Sequence, residues 1–314
     1  MHILNILAPV FLIILIGAIL RRGGFLGGDA PRVLSRYCYW IGLPPLLFMK
    51  IGLAQADLSA ALTTLTICVG VTLTLAALGL TIGFALRLPA TRAVTLMHVA
   101  MRGNLVYIGL PVAIFAFAGH PRGSEAESIA ALTIGPLVIL YNVIPSIAHV
   151  LAAHSGGRGL ARKLLLKLIT NPLIVACVAG LLWNQLGHAN GIPIPLLLNR
   201  TFALLGGPAL PIALLCVGCG LADSRSVHAI VPSSIAAFMK NLLGILLATL
   251  IARALHAGPT ETAVALILMA APTAIASFIL VEELDGDTDI AAGTITLSTL
   301  LSLLTLPLAL ALAL

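Results

Sequence analysis

The sequence predicts an all-α membrane protein that crosses the bilayer about ten times. Of its 314 residues, 60% are hydrophobic and only 9% are charged, whereas soluble domains carry about 25% charged residues. A spanning helix needs about 20 apolar residues, so a chain of this length with short connections has room for roughly ten crossings and no sizeable domain outside the membrane. This composition excludes soluble enzymes and nucleic-acid-binding proteins.

The apolar runs, divided where charge, Gly and Pro cluster, give the boundaries of the predicted transmembrane helices. They are 3–20, 33–52, 58–86, 90–118, 126–153, 168–187, 198–221, 228–256, 261–283 and 289–313. The first run follows only Met1 and His2 and therefore lacks the basic region of a secretory signal. Because Arg21 and Arg22 come directly after it, we expect it to remain as a transmembrane helix.

The basic residues are distributed unequally between the two sides of the membrane. Eleven of the 17 Lys and Arg residues fall in, or within four residues of, the connections after odd-numbered predicted helices: Arg21, Arg22, Arg32, Arg36, Arg87, Arg92, Arg158, Arg162, Lys163, Lys167 and Arg225. Since basic connections stay in the cytoplasm, residues 154–167 are expected to form a short basic cytoplasmic loop, with both chain termini on the outer side. We expect a multi-pass protein of the cytoplasmic (inner) membrane.

The two halves of the chain are interrupted in the same order, which indicates an internal repeat. Gly and Pro interrupt the second and seventh predicted helices at 42–45 and 206–211, and they interrupt the fourth and ninth at 103–111 and 271–273. Each half contains five helices, an odd number, so the second copy must enter the membrane in the opposite direction. The prediction is a 5+5 inverted repeat with residues 1–153 as the first unit and 168–314 as the second.

The interrupted helices also carry the candidate binding residues. These are Arg102, Asn104, Gly109 and Pro111 in the fourth predicted helix, Asn142 in the fifth, and Pro272, Thr273 and Ser277 in the ninth. Proline frees backbone polar groups, and a membrane protein tolerates such groups where they line a cavity. Two half-helix N-termini that meet near the midplane present unpaired N–H groups and positive dipole ends, which suit an anionic substrate.

Each candidate also has a purely structural interpretation at this stage. The fourth predicted helix fits a plain proline kink in which Asn104 caps freed backbone groups. Arg102 fits a carboxylate-attracting cation and an anchor at the membrane interface equally well. The hydroxyls of Thr273 and Ser277 share one helix face, but such hydroxyls often bond to their own backbone. Asn142 fits a packing kink as well as a polar group in the cavity.

The sequence lacks the motifs of enzymes, cofactor sites and metal sites. Cys216 and Cys219 have CxxC spacing, but they lie in an apolar helix and no second pair exists. Aspartates at 285–289 are spaced like the start of a calcium loop, yet Thr296 stands where the closing glutamate belongs. No Walker motif is present. We expect neither an enzyme nor a cofactor, and any transport has to be driven by a gradient or run downhill.

Five short motifs are spread along the whole chain. They are Ala8–Phe11 with Gly17 and Arg21–Gly23, Leu43–Phe48, Asn104 with Gly109–Pro111, Ala271–Ala274, and Ser298–Leu303 with Leu306 and Pro307. In this order they resemble the auxin efflux carrier family in its bacterial form. The resemblance implies a ten-helix architecture related to that of bile-acid:sodium symporters. Helices four and nine would be broken and would cross at the substrate site, with helices one, two, six and seven as a scaffold and the other six as a transport bundle.

The resemblance further implies a secondary transporter that moves a small organic anion, a mono- or dicarboxylate, by alternating access. Its partners would be that anion, the lipid bilayer and a proton or sodium as coupling ion. Apart from the resemblance, an exposed face of the second and seventh predicted helices fits contact with a second copy in a homodimer. Two positions depart from the family pattern: Ala276 stands where asparagine is frequent, and no proline follows Lys240. Lys240 also fits a pairing with backbone carbonyls or a structural salt link.

Two other classes of protein stay open from the sequence. A sodium- or proton-coupled cation exchanger of the same architecture would need a carboxylate within the membrane. All 11 acidic residues fall in loops or at the ends of predicted helices, which favours an anion. A membrane ligand sensor that binds without transporting is the third class.

Overall fold

The computed structural model of the protein describes residues 2–153, 166, 169–187, 190–223 and 229–313. Every regular element in these residues is a helix. These residues also contain one isolated β-bridge. The prediction of an all-α membrane protein is confirmed at this level. Most of the predicted cytoplasmic loop at 154–167 lies outside the described residues, as does Arg225.

Seven α-helices form the part of the chain before that loop. They are α1 (His2–Arg22), α2 (Ala30–Tyr37), α3 (Leu43–Gly52), α4 (Leu58–Ala85), α5 (Ala90–Met101), α6 (Leu110–Ala116) and α7 (Gly123–Ala152). One π-helical turn, Cys38–Gly42, joins α2 to α3, and another, Leu105–Gly109, leads into α6.

The described part of the chain after the loop contains eight further α-helices. They are α8 (Pro172–Leu186), α9 (Leu196–Gly206), α10 (Ala209–Asp223), α11 (Ile230–Phe238), α12 (Gly244–Ala254), α13 (Pro259–Ala270), α14 (Ala276–Glu283) and α15 (Thr288–Ala313). A third π-helical turn, Met239–Leu243, joins α11 to α12.

Several helical stretches are long and apolar enough to cross a bilayer. Within the described residues, six meet this criterion: Asn5–Arg22, Leu58–Ala85, Gly123–Ala152, Leu196–Asp223, Ile230–Ala254 and Thr288–Ala313. Shorter apolar helices are Leu105–Ala116, Pro172–Leu186 and Pro259–Ala270. The protein is therefore a multi-pass membrane protein.

The starts of several helices follow from local chemistry. The Asp57 carboxylate accepts the backbone N–H of Ser59 at 3.0 Å and caps α4, while the Asn171 side chain caps α8. Pro44 lies in the first turn of α3, directly after the π-helical turn Cys38–Gly42. Its ring and missing N–H exclude a normal hydrogen bond to the preceding turn, so the helical run changes from α to π geometry before α3.

The helices form two packed groups. The scaffold group consists of α1, α2, α3, α8, α9 and α10, in which α1 lies along α10 and α3 along α8. The bundle group consists of α4–α7 and α11–α15, in which α4 packs on α5 and α13, and α15 packs on α11 and α13. Small residues let the scaffold helices approach closely: a Cβ added to Gly218 on α10 would lie 2.8 Å from the backbone nitrogen of Ala18 on α1.

Candidate functional site

Two interrupted segments of the bundle group cross each other at their breaks. The backbone after α5 is extended at Arg102, and the chain between α5 and α6 pairs antiparallel with the chain between α13 and α14 through Gly103 and Thr273. The N–H of Asn104 donates to the carbonyl of Pro272 at 2.7 Å, and the N–H of Ala274 donates to the carbonyl of Arg102 at 3.2 Å. These bonds satisfy backbone groups that the breaks would otherwise leave unpaired inside the membrane.

The crossing is closely packed at Gly103. A Cβ added to this residue would lie 3.0 Å from Lys240 Cε and 3.3 Å from Lys240 Nζ. The ammonium group of Lys240 is fully buried and donates to the carbonyl of Met269, near the C-terminal end of α13, at 2.7 Å. The carbonyl end of a helix carries partial negative charge, so the lysine stabilises the end of α13 and also brings a positive charge to the crossing.

The second half of each interrupted segment begins with free backbone donors. In the described part of the chain, the N–H groups of Leu105 and Val106, and those of Ile275 and Ala276, make no backbone hydrogen bond. The first N–H groups of a helix have no partner within that helix. Here two such N-termini face the same small space, where they present partial positive charge.

That space is a pocket of about 50 Å³, hereafter the crossing pocket. Its lining residues are Tyr39, Leu43, Arg102, Gly103, Asn104, Leu105, Val106, Tyr107, Val138, Tyr141, Asn142, Leu173, Ala274, Ile275 and Ala276. A water molecule occupies roughly 10–15 Å³ on this measure, so the pocket has room for about three to five waters or for one carboxylate group. Among the described residues that line it, Arg102 carries the only charge.

A larger cavity of about 390 Å³, hereafter the vestibule, adjoins the crossing pocket. Its lining residues are Arg32, Ser35, Arg36, Tyr39, Trp40, Arg102, Asn142, Ser146, Thr170, Asn171, Pro172, Ala276, Ile279, Leu280 and Glu283. Tyr39, Arg102, Asn142 and Ala276 line both spaces. The vestibule therefore lies between the scaffold group and the bundle group, and Arg102 stands where it narrows into the crossing pocket.

Arg102 is held in place by groups on α5 and α7. It is only 6% exposed, and its Nη1 lies 3.4 Å from His98 Nε2 and donates to the carbonyl of Tyr141 at 3.3 Å. The Tyr141 carbonyl is available because Pro145, four residues later, has no N–H to donate to it. Proline in α7 thus provides the acceptor that orients the guanidinium, although α7 itself continues through Pro145.

Asn104 connects the crossing to the pocket. Its Oδ1 accepts the backbone N–H of Tyr107 at 3.2 Å and so caps the π-helical turn before α6. Its Nδ2 makes no hydrogen bond within the described residues, while Asn104 lines the crossing pocket and is 5% exposed. Asn142, on α7, donates its own Nδ2 to the carbonyl of Val138 at 2.7 Å. The Asn104 amide therefore presents a free donor to the crossing pocket.

The other predicted site residues lie around the crossing without lining either space. Pro272 and Thr273 build the crossing itself: the Thr273 hydroxyl donates to the carbonyl of Val99 at 3.0 Å. Gly109 allows α13 to approach, since an added Cβ would lie 3.1 Å from the side chain of Leu268. Pro111 is buried at the start of α6. Ser277 is buried in α14, and its hydroxyl has no hydrogen-bond partner among the described residues.

Sequence reasoning missed several residues that line the crossing pocket. Tyr39, Tyr107 and Tyr141 come from three different segments and meet only in the folded protein. The backbone at 274–276 also lines the pocket, and a backbone donor has no signature in the sequence. His98 was missed as well, although its i, i+4 spacing from Arg102 was a usable signal.

Helices that cross a membrane many times, with two broken segments meeting at an internal ligand-sized space, define a class of membrane protein that handles a small molecule within the bilayer. The chain belongs to the membrane transport protein family, whose profile matches residues 2–310. This confirms the auxin efflux carrier family indicated by the sequence motifs. The chain is also similar to a protein of Methanothermobacter thermautotrophicus described as an uncharacterized transporter, with 26% identity over 305 residues that cover 95% of this chain and 94% of the relative.

Proposed function

We propose that this membrane transporter is a secondary carrier for a small organic anion, a mono- or dicarboxylate, and that it works by alternating access. The crossing pocket carries this proposal. It combines the guanidinium of Arg102, the free amide of Asn104 and two helix N-termini, and no acidic side chain lines it within the described residues. All of these groups are donors or positive charges, and a carboxylate is the ligand that satisfies them together.

The burial of Arg102 adds an energetic argument. An arginine at the bilayer centre costs about 2.5–3.5 kcal/mol on insertion scales, and in the described structure its partners are a ring nitrogen and a carbonyl rather than a carboxylate. A charged side chain that is buried within the membrane without a carboxylate partner more often lines a substrate pathway than makes a purely structural contact. A substrate carboxylate would supply the missing counter-charge.

The volumes of the two spaces support a small substrate. A carboxylate fills the crossing pocket, and the rest of the molecule extends into the vestibule past Tyr39 and Asn142. There, Arg36 and Arg32 also line the wall, and one of them can receive a second carboxylate. This arrangement accommodates both mono- and dicarboxylates.

The contacts between helices support a 5+5 inverted repeat of residues 1–153 and 168–314. The first segment, α1, packs on the seventh, α9–α10, and the sixth, α8, packs on the second, α2–α3. When five is added to each segment number, with counting returning to one after ten, the first of these contacts becomes the second. The same exchange relates the contact of α4 with α7 to that of α11 with α15, and the contact of α4 with α5 to that of α12 with α13.

Alternating access follows from the position of the vestibule between the scaffold group and the bundle group. Movement of one group against the other would close the vestibule and open a path on the opposite side, with the crossing pocket kept at the centre. The positive-inside distribution of Arg and Lys supports an orientation with the chain termini outside and with the vestibule mouth, near Arg32 and Glu283, towards the cytoplasm. We assign the protein to the cytoplasmic (inner) membrane on this basis.

The candidate residues then have distinct roles. Arg102, Asn104 and Asn142 contact the substrate. Pro272 and Thr273 build the crossing, and Gly109, Pro111 and Ser277 position the half-helices that end there. A cation exchanger is the competing function, but it requires a carboxylate at the crossing, and Glu283 lines only the vestibule within the described residues.

Uptake into proteoliposomes tests the proposal. Labelled malonate is offered with and without an excess of unlabelled carboxylates, and with organic cations of similar size as the matched control. We expect saturable uptake that carboxylates inhibit and cations do not. A pH change on adding sodium without any anion would support the exchanger, and binding of malonate without any uptake would support a sensor.

A further inference from the structure

A pair of buried histidines lies next to Arg102, between α5 and α7. The rings of His98 and His149 meet edge to face, with centroids 5.6 Å apart and an interplanar angle of 74°. Their side chains are 0% and 1% exposed. Histidine is the side chain whose charge changes most readily near neutral pH, so two imidazoles in contact beside a proposed anion site call for a chemical role.

Three of the four ring nitrogens have no partner in the described part of the chain. These are His98 Nδ1 and both nitrogens of His149. The fourth, His98 Nε2, lies 3.4 Å from Arg102 Nη1. A guanidinium only donates hydrogen bonds, so His98 Nε2 accepts and the ring proton is assigned to Nδ1. Buried, unpaired polar groups are costly and rare in native proteins, and they are typical of functional sites.

Polar groups connect the pair to the vestibule on one side and to a connection between helices on the other. Asn142, Ser146 and His149 follow each other at helical spacing on α7, and the first two line the vestibule. On the other side, a Cβ added to Gly286 would lie 2.7 Å from His149 Cε1. Less than one turn of α7 therefore separates Ser146, which lines the vestibule, from His149.

The charges around the pair come from few residues. On α5, Arg102 faces His98, and Arg92 pairs with Asp287 at 2.6 Å. Lys240, in the π-helical turn packed against α5, donates to the Met269 carbonyl. Helices α4 and α11 contain no charged residue or histidine. The remaining acidic or basic groups on packed elements are Lys50 with Glu127, Glu125, Glu261, Glu282, Glu283, Asp289 and, in the connection that contacts His149, Asp285. Arg102 is thus the charge that contacts the pair.

We propose that His98 and His149 form a proton-binding site whose occupancy is linked to anion binding at Arg102, so that each anion is carried with a proton. This inference rests on the proposed carrier function. In the empty site the guanidinium occupies Nε2 of His98 and repels a second positive charge. A carboxylate that binds Arg102 neutralises it and draws its N–H groups away.

A hydronium ion then gives up a proton, which forms an N–H bond at His98 Nε2, and a water molecule is left. The edge-to-face His149 ring packs against the imidazolium. Arg102 keeps all its protons throughout, and release of the anion restores the repulsion and expels the proton. A monocarboxylate and its proton together carry no net charge. Because such linkage is reciprocal, protonation of the pair also strengthens anion binding.

The first test needs no substrate. NMR of ¹⁵N-labelled imidazoles reports the protonation of each ring, with His149→Gln used for assignment and exposed His120 as an internal reference. At each pH of a titration downwards from about 6.5, the ordinary midpoint of histidine, Arg102→Gln should increase the imidazolium fraction of the pair, whereas Arg102→Lys should leave it near the wild-type value. Equal fractions in wild type and Arg102→Gln, with His120 unchanged, would overturn the proton site.

The second test measures the coupling. Malonate binding is followed by calorimetry in two buffers of different ionisation enthalpy, which gives the number of protons taken up per anion. We expect net proton uptake on malonate binding for wild type and for His120→Gln, and close to zero for His98→Gln/His149→Gln. Malonate binding without proton uptake in wild type would overturn the coupling. Absence of any carboxylate binding would instead contradict the proposed carrier function, and the NMR result would still decide the proton site.

Discussion

Replacing Asn104 separates the two roles of this residue at the crossing. Its Oδ1 caps the turn before α6 through the N–H of Tyr107 at 3.2 Å, while its Nδ2 is free and lines the crossing pocket. Asn104→Ala removes both groups. Asn104→Ser keeps an oxygen that can cap the turn but removes the amide donor, so it is the matched control for local folding.

The expected magnitudes differ for the two roles. Loss of a cap costs about 1 kcal/mol of stability, which should lower the melting temperature of Asn104→Ala but not that of Asn104→Ser. Loss of a hydrogen bond to a charged ligand costs about 1.5–3 kcal/mol, so the Kd for a carboxylate should rise by roughly 10- to 150-fold in both variants, since about 1.4 kcal/mol is tenfold.

A thermal-shift titration in detergent measures both effects. Ligand at about 100 times Kd stabilises a protein by about 2.7 kcal/mol. A 30-fold loss of affinity at the same concentration leaves only about 0.9 kcal/mol by the same relation, so the shift should fall to about a third. If both variants show the full wild-type shift, Asn104 does not contact the substrate and the reasoning about the crossing pocket is refuted.

Three further substitutions test other parts of the account. Arg102→Gln should raise the apparent KM for anion uptake by roughly 10- to 100-fold, because the carboxylate loses a nearby positive charge, whereas Arg253→Gln, at the end of α12, should leave it unchanged. Lys240→Met keeps the apolar stem but removes the buried charge. It should weaken carboxylate binding, measured by calorimetry, by about tenfold. An affinity equal to that of wild type would show that this lysine only caps α13. Gly218→Ala should destabilise the contact of α1 with α10 by about 1–3 kcal/mol, measured by urea or thermal unfolding. The control is Gly220→Ala, whose added Cβ meets nothing within 4 Å and which should be neutral. Similar unfolding of the two variants would contradict the close packing.

Much of the fold was accessible from the sequence because its signals are local. Apolar runs and the Gly and Pro residues between them indicated the helices and the positions of the breaks near Gly103 and Pro272. The third π-helical turn, Met239–Leu243, was not predicted, since no proline follows Lys240. It lies where Lys240 bonds to the Met269 carbonyl and where the next residue, Asn241, bonds to Thr305 at 3.0 Å, contacts that only the folded protein provides.

The candidate site was harder to predict from the sequence, because its contacts form only in the folded protein. Polarity within apolar runs identified Arg102, Asn104 and Asn142, all of which line the crossing pocket. Ser277 was chosen by the same rule, yet it does not line either described space. Tyr39 and Tyr141 could not be identified, because an aromatic residue in an apolar helix is unremarkable until its neighbours are known.

The central claim is that the protein carries carboxylates across the membrane through the crossing pocket, and counterflow tests it most directly. Proteoliposomes loaded with unlabelled malonate are placed in trace labelled malonate, and the label inside is followed over time. A carrier that alternates between two sides should concentrate the label transiently, and Asn104→Ala and Asn104→Ser should both reduce this overshoot when malonate is present below their raised Kd. Labelled malonate that equilibrates without any overshoot, or an overshoot that is the same in wild type and Asn104→Ala, would contradict the account.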